Sequence, residues 1–357
     1  MSTLAALGRM SLTVGSACTG TMPKVAERLS RNSLTGFMDA ALRGVGMAGF
    51  ANNPLSGMLF LAAAFSISPW LGFSVIFAGM VSTGTALALS LDRHDVRAGL
   101  YGYNGALVGG GFATFLAPAW DVVIVCYMIA GAALSTVVMA GLIHVMAKGW
   151  GVPPVAIPFN LIVIGLLLAA QTVDRGRAGP LVGTSEPVSQ VAVNQPTAIN
   201  IADALAHGIG QVVFAGTLTA AALVLTGILI CCWYSALLAV LGSATAALTA
   251  AALGTDPSAI NMGLLGLNGF LTCVALGAIF VQRRTVYTVI LGIVGAAAAT
   301  VTALALNRIV IELGLPGSIT LAYCIVTPLF VGAKFLSPRL HPESPAVVAP
   351  RSAPAAR

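Results

Sequence analysis

The sequence predicts an all-α polytopic membrane protein, built as two inverted repeats of five transmembrane helices, each with a tilted re-entrant half-helix, enclosing a central pore. Three observations predict it. Of 357 residues, 58% are hydrophobic and 8% charged, against roughly 25% charged in an ordinary soluble domain. Apolar runs near the length of about 20 residues that spans a bilayer alternate with short polar or proline-containing breaks. The chain also matches itself, without a gap over long stretches, at an offset of 164 residues.

The elements follow in order. Residues 1–33 carry Arg9, Lys24, Arg28 and Arg31 among small polar residues and lack the unbroken apolar core of a secretory signal; they read as a cytoplasmic N-terminal tail. The first repeat, 34–171, contains apolar segments at about 34–51, 55–68, 70–91, 98–117, 121–147 and 153–171. The second of these is short and is bracketed by Asn52-Asn53-Pro54 and Ser68-Pro69, so it is expected to be the re-entrant half-helix. Residues 172–199, with Asp174, Arg175, Arg177, Glu186 and several prolines, read as an extracytoplasmic linker. The second repeat, 200–336, has segments at about 200–215, 217–232, 234–253, 260–281, 285–305 and 316–336, with 217–232 the short one. Residues 337–357 are rich in Pro, Ala and Ser and read as a disordered cytoplasmic tail.

Five spans per half start the two halves on opposite sides, which makes the repeat an inverted one. Positively charged residues agree with that layout. With both termini inside, only Arg175, Arg177 and Arg308 of the 17 Lys and Arg fall outside, and Arg43 lies within a span.

The repeat is specific. Asp39, Gly44, Gly46 and Phe50 fall on Asp203, Gly208, Gly210 and Phe214, and residues 99–107 match 263–271 at six of nine positions. Glycines at this density permit close helix approach or broken backbone, and broken helices in a membrane occur where they line a cavity or pack in protein. One pore built twice is therefore expected, with helix packing alone as the bland alternative.

Other chemistry is sparse. The net charge of +6 forms no contiguous basic face of the kind nucleic acid needs. The cysteines show neither CxxC pairing nor a histidine at ligand spacing, so no metal and no cofactor is expected. Metalloprotease, serine-hydrolase and nucleotide-binding motifs are missing from the sequence, which argues against an enzyme. Asp39 with Arg43, and Asp203 with His207, stand four apart at equivalent repeat positions and are expected to pair on one helix face.

The run Gly44-Val-Gly-Met-Ala-Gly-Phe-Ala-Asn-Asn-Pro-Leu-Ser-Gly57 and the run Gly99-Leu-Tyr-Gly-Tyr-Asn-Gly-Ala-Leu-Val-Gly109 resemble signatures of the urea transporter, or urea channel, family. Their second-half counterparts are Gly208-Ile-Gly-Gln-Val-Val-Phe214 and Gly263-Leu-Leu-Gly-Leu-Asn-Gly-Phe-Leu-Thr-Cys273, and Pro153-Pro-Val-Ala-Ile-Pro-Phe-Asn160 is similar to the family's PPxxTxPF element. The resemblance covers about residues 35–335. It implies a homotrimer in the inner (plasma) membrane, each protomer passing urea through a slot flanked by aromatic rings and a ladder of oxygens. Carried over residue by residue, the slot falls on Phe50, Tyr103 and Leu107 and on Phe214, Leu267 and Leu271. The polar position at the head of the ladder falls on Met47 and Gln211, the latter followed by Val212. The mid-pore threonine falls on Ala156 and Thr320. Three departures stand out: Met47 replaces a glutamine, Ala156 a threonine, and Gly216-Thr-Leu-Thr219 the second asparagine-proline turn. Facilitative passage of urea is the expectation. A channel for another small neutral solute, such as a short amide or ammonia, and a proton-coupled urea carrier stay open as alternatives. Asn104 and Asn268 are expected to hold backbone rather than touch solute.

Overall fold

A computed structural model describes residues 20–116, 119–170, 198–280 and 285–333. Among them all regular structure is helical. The linker at 172–197 and the tail at 337–357 lie outside the described residues.

The breaks read in the sequence are helix starts. Asn32 caps α2 (Ser33–Met47), accepting from the Leu34 and Thr35 amides, after a short α1 (Pro23–Leu29). Asn53 caps α3 (Pro54–Ile67) and Ser68 caps α4 (Pro69–Ala88), each followed by a proline, whose missing N–H costs nothing in a first turn. Asp92 caps α5 (Arg93–Arg97). The half closes with α6 (Gly102–Phe115), α7 (Val122–Leu142) running into a π-helical turn over Ile143–Trp150, and α8 (Ile157–Ala170). The second half runs α9 (Ile201–Gly210) with a 3₁₀ turn over Gln211–Val213, α10 (Leu218–Cys231), α11 (Trp233–Ala252) and α12 (Pro257–Asn261). It ends with α13 (Leu264–Val274) and its π-helical turn Ala275–Ile279, α14 (Val286–Glu312) and α15 (Leu321–Gly332).

Among the described residues, four helices are long and apolar enough by themselves to cross a membrane: Pro69–Ala88, Val122–Trp150, Trp233–Ala252 and Val286–Glu312. The other apolar helices are shorter because the chain breaks at Asn53, at Pro153-Pro154 and before Leu321. The short segments at 55–68 and 217–232 are the apolar helices Pro54–Ile67 and Leu218–Cys231, and the latter follows Ile201–Val213 with a bend of 69° across residues 214–217.

The core is made by close crossings. Helix α4 packs on α6 and α11 on α13, while α3 packs on α10 and so joins the halves. At that junction the Ser56 hydroxyl donates to the Gly227 carbonyl at 2.6 Å, and the fully buried Phe60 ring fills the space a Cβ on Gly49 or Gly227 would need. Corresponding contacts recur 164 residues on. Gly99 and Gly263 have φ of 76° and 71°, and a Cβ there would stand 2.4 Å from the Gly44 nitrogen and 2.2 Å from the Gly208 nitrogen. Only glycine fits both demands.

The two expected ion pairs part company. Arg43 Nε donates to Asp39 Oδ2 at 2.8 Å with both side chains buried. Arg43 Nη1 also donates to the Thr21 carbonyl at 2.7 Å and to Asn52 Oδ1 at 2.9 Å. The last residues of the stretch read as a tail are therefore docked onto the first break. Asp203 and His207 do not pair: Asp203 accepts from Asn200 Nδ2 at 2.6 Å, and His207 Nδ1 lies 2.6 Å from the Asn261 carbonyl. A carbonyl can only accept, so Nδ1 carries the proton. The loss of the arginine at 207 frees both partners for the helix cap and the neighbouring loop.

Candidate functional site

The site is assembled from chain that leaves the α-helix. After α2 the backbone folds back so tightly that a Cβ on Gly46 would stand 2.4 Å from the Ala51 carbonyl oxygen; after α9, Gly210 meets the Ala215 oxygen at 2.1 Å. The amides of Phe50 and Phe214 are held by the carbonyls of Met47 and Gln211 at 3.0 and 2.9 Å. This places Phe50 and Phe214 in the left-handed region, at φ of 62° and 59°. A second pair, Val155 and Ile319, sits at φ of 42° and 49° ahead of α8 and α15. Left-handed β-branched residues are rare, and each such residue costs on the order of 1–3 kcal/mol.

All four strained residues line one cavity of about 360 Å³. So do all the site residues expected from the sequence: Phe50, Tyr103, Leu107, Gln211, Val212, Phe214, Leu267, Leu271 and Thr320. Met47 and Ala156, the two departures, line it as well. One end of the cavity carries His94 and Asp95 together with Ile279 and Phe280. A second cavity of about 180 Å³ shares Gln211, Phe214, Leu267 and Ile319 with the first and extends to Leu264, Ser258 and Asn307. Leu264 and Ile279 are the two ends of one continuous helical stretch, about 22 Å apart at 1.5 Å per residue. The first cavity thus extends to the C-terminal end of this stretch and the second to its N-terminal end, with Phe214 lining both.

Each phenylalanine is clamped edge-on. Phe214 meets Phe115 and Phe159 with centroids 6.0 and 6.1 Å apart, at interplanar angles of 82° and 72°. Phe50 meets Phe280 and Tyr323 at 6.3 and 6.2 Å, at 84° and 79°. Edge-to-face pairs at these distances are favourable and hold a ring in one orientation. The sequence reading missed Phe115, Phe159, Phe280 and Tyr323 as clamp residues. Tyr323 stands 164 residues from Phe159, so the repeat itself could have found that pair; nothing in the sequence singles out Val155 or Ile319.

The asparagines hold backbone, as the sequence reading expected. Asn104 Oδ1 accepts the Phe159 amide at 3.1 Å, and its Nδ2 reaches the Met139 sulfur at 3.7 Å. Asn268 Oδ1 accepts the Tyr323 amide at 3.0 Å, and its Nδ2 donates to the Ile319 carbonyl at 2.8 Å. Tyr103 Oη donates to the Val155 carbonyl. Thr320 Oγ1 accepts from Asn160 Nδ2 at 2.8 Å, and the same nitrogen donates to the Ala156 carbonyl at 2.9 Å.

The mouth near α5 is the charged end. Asp92, His94 and Asp95 bring possible ligand atoms within 4.8 Å of one another, two of the three residues being exposed; the sequence reading named no such group. Burial, and then the neighbouring Asp92 charge, raise the Asp95 carboxyl above its ordinary value.

Known proteins are similar to this sequence over most of its length. The family described as urea transporter matches residues 38–335. The proteins named Urea transporter 1 from Ovis aries and from Mus musculus are each 27% identical over 329 residues, covering 90% of this chain and 84% of theirs. The Urea transporter 1 of Rattus norvegicus is 27% identical over 334 residues, 93% of this chain and 86% of its own.

Proposed function

The chain belongs to the urea transporter family, a family of membrane transporters rather than enzymes, and on that premise we propose that it carries urea across the membrane as a facilitative channel, through the cavity bounded by Phe50 and Phe214. The observation that carries the channel reading is the coincidence of clamped, flat aromatic walls with broken backbone at both phenylalanines.

Urea is neutral, planar and strongly hydrated, with four N–H donors and one carbonyl acceptor. Moving it through hydrocarbon without partners costs several kcal/mol. Ring faces on either side admit a flat molecule and offer weak N–H contacts that shape passage more than they bind. Residues 48–50 and 212–214 lie past the α-helices, so their carbonyls stand outside the regular helical ladder and can accept amide hydrogens as water is shed, while the Met47 and Gln211 carbonyls hold the Phe50 and Phe214 amides. Gln211 and Thr320 add side-chain acceptors. These groups form the oxygen ladder of the proposal.

A channel is favoured over proton coupling by where the carboxylates lie. Asp39 is held by Arg43 and Asp203 by Asn200, and the cavity is lined by neither; the carboxylate that does line it, Asp95, lies on the short helix Arg93–Arg97 outside the long apolar helices. The proposal includes two inverted five-span repeats, both termini on the cytoplasmic side of the plasma membrane, and a homotrimer with one pore in each protomer.

Stopped-flow light scattering on purified protein in liposomes tests it. Urea flux that does not saturate and ignores a pH gradient is expected, with Gln211→Ala lowering it and Phe214→Trp blocking it at unchanged expression. Flux strictly dependent on the proton gradient, or flux for ammonia and not urea, refutes the channel reading. If both variants conduct like the parent protein, the site assignment is wrong.

A further inference from the structure

The clamp on each slot phenylalanine crosses between halves. Phe159, from the first half, packs on Phe214 of the second; Tyr323, from the second half, packs on Phe50 of the first. Tyr323 therefore serves the slot whose own polar position is Met47, while the slot of Phe214 keeps Gln211. Exchange across the halves puts a phenol beside the slot that lacks an amide.

The placement of that phenol is well defined. Tyr323 is 3% exposed and lines the cavity. Its amide is fixed by Asn268 and its ring by Phe50. Tyr103 spends its hydroxyl on the Val155 carbonyl, whereas the Tyr323 hydroxyl has no hydrogen-bond partner among the described residues. Nor is it among the sealed polar atoms, as the Thr272 and Thr327 hydroxyls are, so it keeps access to the cavity. A phenol can donate to a carbonyl and accept from an N–H, which matches both ends of a primary amide.

We propose that the Tyr323 hydroxyl is the hydrogen-bonding group of the Phe50 slot, standing in for the side-chain amide that Met47 lacks, and that it sets this slot's preference for planar solutes bearing a carbonyl and N–H groups. This rests on the urea-channel reading. Met47 then needs no polar replacement, because the function has moved to the other half of the chain.

The test compares the parent protein with Tyr323→Phe, Met47→Gln and the double variant in liposomes, measuring urea and water flux. Phenylalanine occupies the equivalent position 159, so Tyr323→Phe keeps the clamp. Urea flux is expected to fall about three- to ten-fold, the worth of one neutral hydrogen bond, with water flux unchanged. Met47→Gln is expected to restore at least half of the loss in the double variant. Tyr323→Phe with parental urea flux overturns the proposal and leaves the channel reading standing. A loss that Met47→Gln does not rescue, or that affects water equally, overturns it in favour of a packing role for the ring. A parent protein without urea flux removes the channel reading and this proposal together. Thermal unfolding of each variant separates lost flux from lost fold.

Discussion

Truncating the two equivalent asparagines should have unequal effects, and the inequality follows from their partners. Both are fully buried, at 0% and 1% exposure, so Asn104→Ala and Asn268→Ala lose similar packing. Asn104→Ala leaves one backbone group unpaired, the Phe159 amide, and gives up a weak contact to sulfur. Asn268→Ala leaves two, the Tyr323 amide and the Ile319 carbonyl. A buried group stripped of its partner costs about 1–3 kcal/mol. The excess of Asn268→Ala over Asn104→Ala is therefore about 1–3 kcal/mol. Aspartate sharpens the contrast: at 268 it would face the Ile319 carbonyl with a second acceptor, whereas at 104 it would face only a thioether. Thermal unfolding in detergent, followed by size exclusion or tryptophan fluorescence, gives the ranking, and urea flux in liposomes should follow the same order because Thr320 lies within the held segment. Equal destabilisation, or a larger loss for Asn104→Ala, would refute the assignment of these two bonds as the source.

Arg43→Met strands the buried Asp39 carboxylate and should cost about 3–5 kcal/mol. Hydrogen exchange at residues 20–22 should rise with it, and an unchanged unfolding midpoint would sink the idea that this pair holds the first break. Gly110→Ala should lower urea flux without altering the cavity wall chemically, because a Cβ there stands 2.6 Å from two atoms of the Phe214 ring; parental flux would mean the ring can yield. Asp95 lies in the short helix between spans, and folding raises its pKa from 3.8. Its contribution is thus most favourable while protonated and is lost as pH rises from the ordinary carboxylate range through the raised value. Asp95→Asn should raise the unfolding midpoint at pH 7 more than at pH 3; the opposite order contradicts the burial argument.

Much of this was legible in the sequence because membrane chains are constrained simply. Apolar runs ended at Asn53, Ser68 and Asp92, and each of these is a helix cap in the structure. The 164-residue offset carried Phe50 to Phe214 and Asn104 to Asn268, and the structure gives each pair matching backbone geometry or matching bonds. What escaped were features that depend on which groups meet in space. Val155 and Ile319 are ordinary strand or helix residues by type, and only the surrounding packing forces them left-handed. Asp203 and His207 had the right spacing to pair, but spacing says nothing of Asn200 and Asn261, which take their hydrogen bonds instead. The charged group near α5 was hidden because its three members sit among four consecutive residues that hydropathy treats merely as a loop.

The ring contacts that join Phe214 to Phe159 and Phe50 to Tyr323 also bear on ancestry. Neither half could finish a slot alone, so, with the halves related as proposed, a single-repeat forebear would have needed an antiparallel twin to supply the missing ring. In such a twin both slots are the same by symmetry. Fusion into one chain removes that obligation, and Phe159 and Tyr323 are then free to differ. In the proposed channel that asymmetry cannot pump, since a passive conduit obeys detailed balance whatever the chemistry of its two ends. It can only decide from which side of the membrane the conduit fills first.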